Sequence, residues 1–208
     1  ANNPPEYNRD WNNPFNGGNV YDINFGNTTR TGYYAVKFRV EVPSPFGVDW
    51  PVIRLAEVLL IHAEALFEKN GSITDQQLDL TINKLRDRAG LPALTNSFVS
   101  TNGLDMRTEI RRERTIELFL EGFRFDDLRR WKNAETEMPM ALEGVLWRGT
   151  QYDTDSRWGD IDFPQNGDGY IIVEPTGKRK FEEKHYLFPL PTRQILLNPN
   201  LEQNPGWS

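Results

Sequence analysis

Cysteine is absent from this sequence of 208 residues, and histidine occurs only twice, as His62 and His185. The absence of cysteine excludes disulfide bonds, thiolate metal sites and a cysteine nucleophile. The two histidines lie far apart in sequence, so neither a histidine-rich metal centre nor a bound cofactor is expected. Long apolar runs are also missing, because no segment approaches the roughly 20 apolar residues that a membrane-spanning helix requires.

An excess of positive charge is missing as well. The 24 lysines and arginines are outnumbered by 30 aspartates and glutamates, which gives a formal net charge of −6. Nucleic-acid binding typically requires a concentrated basic surface, so nucleic acid is not an expected partner. Hydrophobic residues make up 38% of the chain and aromatic residues 12%, which is enough to bury a sizeable core.

The beginning of the chain predicts loops followed by one strand. Residues 1–30 are rich in asparagine, proline and glycine, and few of their apolar residues are periodic. Apolar and polar residues alternate over 33–42, in YYAVKFRVEV, which predicts a half-buried strand.

Two helices are predicted next, joined as a helical hairpin of the tetratricopeptide kind. Apolar residues on two stripes predict a largely buried helix from Pro51 to Asn70, with His62 inside it as a core residue. Thr74 and Gln77 fit a capping box that begins the second helix, which ends at Gly90. The buried stripe of the second helix is predicted to consist of Leu78, Ile82, Leu85 and Ala89.

A third, long helix is predicted from about Leu104 to Asn133. Its predicted apolar side consists of Ile110, Ile116, Phe119, Leu120, Phe123 and Trp131. The stretch IELFLEGFRFDDLRRW at 116–131 places opposite charges at helical spacing, which favours a structural network of ion pairs. The alternative is a catalytic pair, Glu117 and Glu121, but glycosidase carboxylates must flank a sugar bond, and residues four apart on one helix point the same way. Gly122 is expected to allow close approach of a neighbouring backbone.

The remainder, 134–208, predicts loops, a hairpin between 170–174 and 179–186, and a helical turn from Thr192. The predicted fold class is mainly α: a tetratricopeptide-like helical hairpin plus a long helix, with long irregular loops and short β-strands. Residues 1–208 are interpreted as one region, divided into a loop and strand (1–50), a helical core (51–133) and a block of loops, hairpin and extended chain (134–208).

Four stretches of this sequence together resemble the C-terminal half of the SusD/RagB family. They are WPVIRLAEVLLIHAEALFEKNG, INKLRDRAGLP, IRRERTIELFLEGFRFDDLRRW and YLFPLPTRQILLNPNLEQNPGW, and they occur in the family's order. The resemblance implies a non-enzymatic, surface-exposed lipoprotein of the outer membrane in Bacteroidetes-type bacteria. Such proteins have tetratricopeptide-like helix pairs and capture oligosaccharides or polysaccharides for a SusC-type TonB-dependent transporter. The family's lipidated cysteine and most of its N-terminal half are absent here, so we expect a fragment, with the lipid anchor on the missing part.

A sugar-binding site needs exposed aromatic rings beside polar side chains, and such rings are sought in loops. The candidate carbohydrate-binding residues form two groups, Tyr7, Trp11 and Asn13, and Trp147, Tyr152 and Trp158. The alternative for each loop tryptophan is a ring that pins the loop to the scaffold. Trp131 and Trp207 are predicted to be buried instead, and no catalytic residue or metal ligand is assigned.

Three other interpretations remain open at this point. The chain could be a scaffold that docks the transporter without contacting a sugar, or it could capture peptides, as RagB-type relatives do. A glycosidase is disfavoured because no convergent pair of acids stands out. The acidic loop at 153–162 lacks the alternating ligand spacing of an EF-hand, so a solvated loop is favoured over a calcium site.

Overall fold

The computed structural model describes residues 51–150 and 164–207, together with Thr31, Tyr33, Lys37 and Asp153. The chain divides into two compact units, Val40–Asp127, and Ala1–Arg39 with Leu128–Ser208. The described residues form eight α-helices, one 3₁₀ helix and one two-stranded sheet, so the mainly α fold class is confirmed. The strand predicted at 33–42 lies outside the described residues except for Tyr33 and Lys37.

The first helix, α1, spans Leu55–Asn70 and packs against three other helices of its unit. It begins four residues later than predicted, because Arg54 is extended, with φ −136° and ψ 154°. It ends at Gly71 as predicted, where a φ of 70° lets the backbone N–H donate to the carbonyl oxygen of Phe67 at 2.8 Å.

The prediction that α1 is largely buried is wrong. One face packs into the core through Ala56, Leu60 and Ala63. The opposite face is exposed and carries Leu55, Val58, Ile61 and His62. His62 is therefore not a core residue in the described structure, and the second apolar stripe of the helix has no covering element among the described residues.

The second predicted helix is interrupted at Thr81, giving α2, Asp75–Leu80, and α3, Ile82–Arg88. The capping box of Thr74 and Gln77 is confirmed, with its two hydrogen bonds at 3.2 and 2.9 Å. The buried hydroxyl of Thr81 donates to the carbonyl oxygen of Gln77 at 2.7 Å, the kind of local bond that competes with a regular helix. Leu78, Ile82 and Leu85 are buried as predicted, whereas Ala89 is exposed.

The prediction of one long helix over 104–133 is also wrong. A short helix, α4, spans Asn96–Thr101, α5 spans Met106–Glu117 and α6 spans Arg124–Arg130. Between α5 and α6 the chain turns through Leu120 at φ 64° and Gly122 at φ 87°. These positive φ values are incompatible with a right-handed helix.

The α5–α6 turn changes which side chains are buried. Ile110 and Leu118 are in the core, but Ile116, Phe119 and Leu120 are exposed rather than buried as predicted. No neighbouring atom lies within 4 Å of a Cβ built on Gly122. Glycine is therefore favoured here because the backbone has a positive φ, and not because a neighbouring backbone approaches closely. The core of the unit consists mainly of side chains from α1, α2, α3 and α5.

The other unit contains the sheet. Strand β1, Leu142–Leu146, pairs antiparallel with β2, Tyr170–Glu174. The predicted hairpin is therefore wrong, because 170–174 pairs with the preceding segment and not with 179–186, which contains the 3₁₀ helix Glu183–Tyr186. A small helix, α7, spans Ala134–Glu137, and the helical turn predicted from Thr192 is α8, Thr192–Leu197.

A small core holds this unit together. Leu128, Ala134 and Tyr186 are buried in it, with Met138 and Phe181 packed around them. Trp131 is buried as predicted, and Trp207 is half-buried, its indole N–H donating to the carbonyl oxygens of Lys184 and Leu187 at 2.9 Å. Over the described ranges of both units, none of the helices combines the length and apolar composition needed to cross a bilayer.

Candidate binding surface

Five of the six predicted sugar-binding residues, Tyr7, Trp11, Asn13, Tyr152 and Trp158, lie outside the described residues, and their roles stay predictions. The sixth, Trp147, directly follows β1 and is only 3% exposed. A ring buried to this extent resembles the alternative arrangement, in which a tryptophan pins a loop to the scaffold. Direct stacking of a sugar on Trp147 would require the ring to become exposed, and its role also stays a prediction.

Trp147 lies where two loop segments are bonded together. Its backbone N–H donates to the carbonyl oxygen of Gly169 at 2.9 Å, and the N–H of Arg148 donates to the same oxygen at 3.2 Å. The hydroxyl of Thr150 donates to the Trp147 carbonyl oxygen at 2.7 Å. Asp153 closes the next turn by accepting from the N–H of Gly149 at 3.0 Å. The backbone after β1 is thus fixed against the residues before β2.

Two glycines make this arrangement sterically possible. A Cβ on Gly169 would lie 2.5 Å from the Cβ of Arg148, and its φ of 93° is a conformation that other residues rarely adopt. A Cβ on Gly144 would collide with the carbonyl oxygen of Thr31, which accepts the N–H of Val145 at 2.8 Å. Side chains at either position would separate segments that now touch.

Three polar side chains and one aromatic ring surround this junction, and all but the half-buried Asn166 are exposed. We refer to Arg148, Asn166, Asp168 and Tyr170 as the hairpin platform. Asn166 organises it, since its side-chain oxygen accepts from the N–H groups of Asp168 and Tyr170, both at 3.0 Å. The guanidinium of Arg148 donates to the carbonyl oxygen of Gly167 at 3.2 Å, and Tyr170 is 37% exposed.

Tyr170 is a candidate that the sequence reasoning missed. The sequence pattern places Tyr170 in a strand but does not by itself indicate which side of the strand it lies on. The neighbouring Ile171 is buried, so strand alternation turns Tyr170 outward, opposite Leu146 on β1. An aromatic residue that follows a glycine-rich turn and precedes a buried isoleucine is the signal that could have identified it.

The platform offers the groups that are needed to bind an uncharged ligand that has both polar groups and apolar faces. The tyrosine ring offers an apolar body with a polar tip, and the guanidinium and carboxylate of Arg148 and Asp168 are exposed beside the loop. Hydrogen bonds from such groups fix the orientation of a ligand that a ring face holds by contact.

The carboxylates that could suggest catalysis are bound to an arginine. Arg54 donates to a carboxylate oxygen of Glu117 and to one of Glu121, both at 2.6 Å, and its Nε donates to Glu121 at 2.8 Å. The hydrogen bond with Glu121 raises the pKa of Arg54 well above its usual range; burial opposes this rise, and Glu117 adds to it. These contacts favour the structural interpretation of both glutamates.

Within the described ranges 51–150 and 164–207, no three histidine or acidic side chains converge on a common point. Of the acidic loop at 153–162, only Asp153 is described. His185 accepts the N–H of Glu182 at its Nδ1 at 2.8 Å, which makes it part of a turn.

Comparison with known proteins gives consistent matches. The model of the SusD family matches residues 2–207. A SusD-like protein of Bacteroides ovatus is 26% identical over 166 residues, which cover 74% of this chain and 29% of that protein. Among solved structures, a SusD-like carbohydrate-binding protein from Bacteroides fragilis NCTC 9343 is 30% identical, with a TM-score of 0.59 and coverage of 84% of this chain and 34% of that one.

A second SusD-like protein from Bacteroides fragilis NCTC 9343 is also 30% identical, with a TM-score of 0.54 over 80% of this chain and 28% of that one. The chain therefore spans about a third, or less, of the length of the relatives it matches.

Proposed function

Because the chain belongs to the SusD family, we propose that it is a carbohydrate-binding region of an outer-membrane nutrient importer and has no catalytic activity. It captures oligosaccharides and passes them to a SusC-type TonB-dependent transporter. The protein that contains it is exposed at the cell surface. The observation that carries the proposal is the family match over residues 2–207, together with a 30% identical relative that is described as carbohydrate-binding.

The hairpin platform is the proposed contribution of the described residues to sugar binding. Tyr170 supplies a ring face for the C–H groups of a sugar, and Arg148 and Asp168 supply hydrogen bonds to its hydroxyl groups. The buried Trp147 holds the loop that carries Arg148. Tyr7, Trp11, Asn13, Tyr152 and Trp158 remain proposed members of the same function.

The absence of catalysis is supported by the bonding of the acidic residues in the charged motif. Glu117 and Glu121 bind one guanidinium between them, so they do not face each other across an open cleft. A glycosidase needs two carboxyl groups placed on either side of a sugar bond.

Calorimetric titration of the complete protein against plant, host and microbial oligosaccharides tests the proposal, with short peptides as a control set. We expect binding of one glycan class and a large loss of affinity for Tyr170→Ala, because stacking on an aromatic side chain is removed. Tyr170→Phe keeps the ring and is the matched control. Trp11→Ala and Trp158→Ala test the two loop groups in the same assay.

If the protein binds a glycan and no variant changes the affinity, the described residues form a scaffold and the platform proposal is wrong. Conversion of a glycan by the purified protein, abolished by Glu117→Gln, would refute the proposal that it is not an enzyme. Co-purification of the protein with a TonB-dependent transporter from outer membranes tests the proposed partner and location together.

A further inference from the structure

The dipeptide Asn–Gly occurs four times in the sequence, at 16–17, 70–71, 102–103 and 166–167. In such a pair the backbone nitrogen of the glycine can attack the side-chain carbonyl carbon of the asparagine, because glycine has no Cβ to block the approach. The attack closes a five-membered imide ring and releases ammonia. The first site lies outside the described residues, and the surroundings of the other three differ.

The site at Asn70 lies at the end of a helix, and its attacking nitrogen is occupied. Asn70 is the last residue of α1, and the N–H of Gly71 donates to the carbonyl oxygen of Phe67 at 2.8 Å. This bond ends the helix and must break before the nitrogen of Gly71 can attack the side chain of Asn70.

The site at Asn102 is constrained twice. The N–H of Gly103 donates to the carbonyl oxygen of Ser100 at 3.2 Å, which occupies the attacking nitrogen. The side-chain nitrogen of Asn102 donates to the carbonyl oxygen of Phe98 at 2.8 Å, which holds the amide back along α4. Both contacts oppose a reaction between the side chain and the following glycine.

The third described site, Asn166 with Gly167, lies in the tight loop before β2. Gly167 is exposed, and its N–H donates to no acceptor among the residues that the structure describes. The loop is closed by neighbouring groups instead. The N–H of Gly169 donates to the carbonyl oxygen of Asn166 at 3.1 Å, and the N–H of Asn166 donates to that of Tyr170 at 2.9 Å. Attack at this site therefore does not require the attacking nitrogen to give up a hydrogen bond.

The side chain of Asn166 is curled over the backbone of Gly167. Its Oδ1 accepts from the N–H groups of Asp168 and Tyr170, both at 3.0 Å. A bond to the N–H two residues further on folds an asparagine side chain back over the intervening peptide unit. The side-chain carbonyl carbon is thus held on the side of the nitrogen that would attack it.

The same hydrogen bonds favour the reaction electrostatically. Negative charge develops on Oδ1 when the nitrogen adds to the carbonyl carbon, and two backbone N–H groups already point at this oxygen. Donors that are in place before the charge develops lower the activation free energy, as in an oxyanion hole. Nδ2 donates to a carboxylate oxygen of Glu143 at 2.9 Å, and water can replace this bond as ammonia leaves, since Glu143 is exposed.

We propose that Asn166 is a site of spontaneous covalent modification in the folded protein, through a succinimide formed with the backbone nitrogen of Gly167. The bond from this nitrogen to Cγ of Asn166 forms, and the N–H proton passes to water or hydroxide. The Cγ–Nδ2 bond then breaks, and Nδ2 takes a proton from water and leaves as ammonia. Water opens the ring at either carbonyl, which gives aspartate or isoaspartate. The inference does not depend on the proposed function.

Either product changes the hairpin platform. An aspartate at position 166 would place a negative charge beside Glu143, which now accepts a hydrogen bond from Nδ2, so an attraction becomes a repulsion. Isoaspartate also routes the main chain through the former side chain, so Oδ1 can no longer accept from Asp168 and Tyr170 in the present arrangement. Modification therefore loosens the loop that leads to Tyr170.

Incubation of the complete protein at mildly alkaline pH, followed by digestion and mass spectrometry, measures the conversion of each asparagine. In the folded protein we expect Asn166 to react about tenfold faster than Asn70 or Asn102, because a backbone hydrogen bond must break before either of those can react. In the urea-unfolded protein the three should react at similar rates, since glycine follows each of them and no folded contact remains. Comparing sites within one sample removes differences in pH and buffer.

Gly167→Ala is the matched variant. A Cβ at Gly167 meets no atom within 4 Å, and its backbone does not have a positive φ, so the loop can accept alanine unchanged. The added methyl group hinders the attacking nitrogen. We expect conversion of Asn166 in this variant to slow to the level of Asn70 and Asn102, while the urea unfolding midpoint stays the same.

Conversion of Asn166 in the folded protein that is no faster than that of Asn70 and Asn102 would overturn the proposal. A preference for Asn166 that persists unchanged in urea would place its cause in the local sequence and refute the structural argument. An unchanged rate in folded Gly167→Ala would indicate direct hydrolysis of the amide and exclude the succinimide route. These outcomes are read from peptide masses and need no glycan, so a failure of carbohydrate binding leaves them unaffected.

Discussion

Replacing Arg54 with alanine is expected to lower the free energy of unfolding by about 3 kcal/mol, which is the usual range for removing one partner of a buried ion pair. The side chain of Arg54 is 19% exposed and that of Glu121 is 5% exposed. The guanidinium of Arg54 donates to the carboxylates of Glu117 and Glu121, and also to the backbone oxygen of Glu117 at 2.6 Å. Removing it breaks the link between the residue before α1 and the α5–α6 turn.

Lysine at the same position keeps the charge but not the planar set of donors. It can reach one carboxylate well and cannot bind two carboxylates and a carbonyl together. We therefore expect Arg54→Lys to lose about half as much stability as Arg54→Ala, roughly 1.5 kcal/mol.

Urea unfolding followed by circular dichroism measures these differences. For a denaturant slope of about 2 kcal/mol per molar, Arg54→Ala should lower the unfolding midpoint by about 1.5 M. The matched control is Arg107→Ala, because Arg107 also binds one glutamate through two nitrogens, at 2.8 and 3.0 Å, but with side chains 48% and 40% exposed. Exposed pairs stabilise little, so its midpoint should hardly move. Equal shifts for Arg54→Ala and Arg107→Ala would refute the reasoning that burial makes the Arg54 contacts important.

Three further predictions concern local structure. Hydrogen bonds from the backbone N–H of Thr108 and, to a smaller extent, from its hydroxyl hold the pKa of Asp105 below its ordinary value of 3.8. The Asp105 cap therefore stabilises α5 fully above pH 3.8, and this stabilisation is lost as the pH falls through the lowered pKa. Asp105→Asn should remove this pH dependence from the free energy of unfolding measured between pH 2 and 7. Thr74→Ala should cost about 1 kcal/mol in the same assay at pH 7, because it removes the capping bond of α2. Gly144→Ala should separate β1 from Thr31 and increase amide exchange at Val145, whose N–H now donates to that residue.

Local signals in the sequence identified the ends of helices better than their interruptions. The capping box at Thr74 and the glycine at position 71 act through neighbours within four residues, and both were predicted correctly. The break at Thr81 was not predicted, because its cause is a hydroxyl that bonds to the backbone when the residue is buried. Whether a threonine is buried depends on tertiary packing, which helix propensity does not contain.

The pairing of β2 was missed for a comparable reason. Only a short turn separates 170–174 from 179–186, so the sequence pattern favours pairing of these two segments as neighbouring strands. In the structure the partner is β1, which lies more than twenty residues earlier, and the close approach of Arg148 to the residue before β2 requires glycine at position 169. Whether a glycine allows another segment to approach closely can be judged only when the position of that segment's backbone is known. For the candidate sugar-binding residues, the sequence pointed to aromatic residues in the loop after β1, but it could not distinguish the buried Trp147 from the exposed Tyr170.

The charged motif at 116–131 shows why the prediction of one long helix failed. Its charges and apolar residues fall at helical spacing, and Gly122 is its one strongly helix-disfavouring residue. The turn becomes favourable because Glu117 and Glu121 both bind Arg54, a residue more than sixty positions earlier. On one continuous helix, Phe119 and Phe123 would lie on the same face, and Asp127 would lie beyond easy reach of Arg114, thirteen residues before it. The turn brings these last two side chains together, within hydrogen-bond distance of each other.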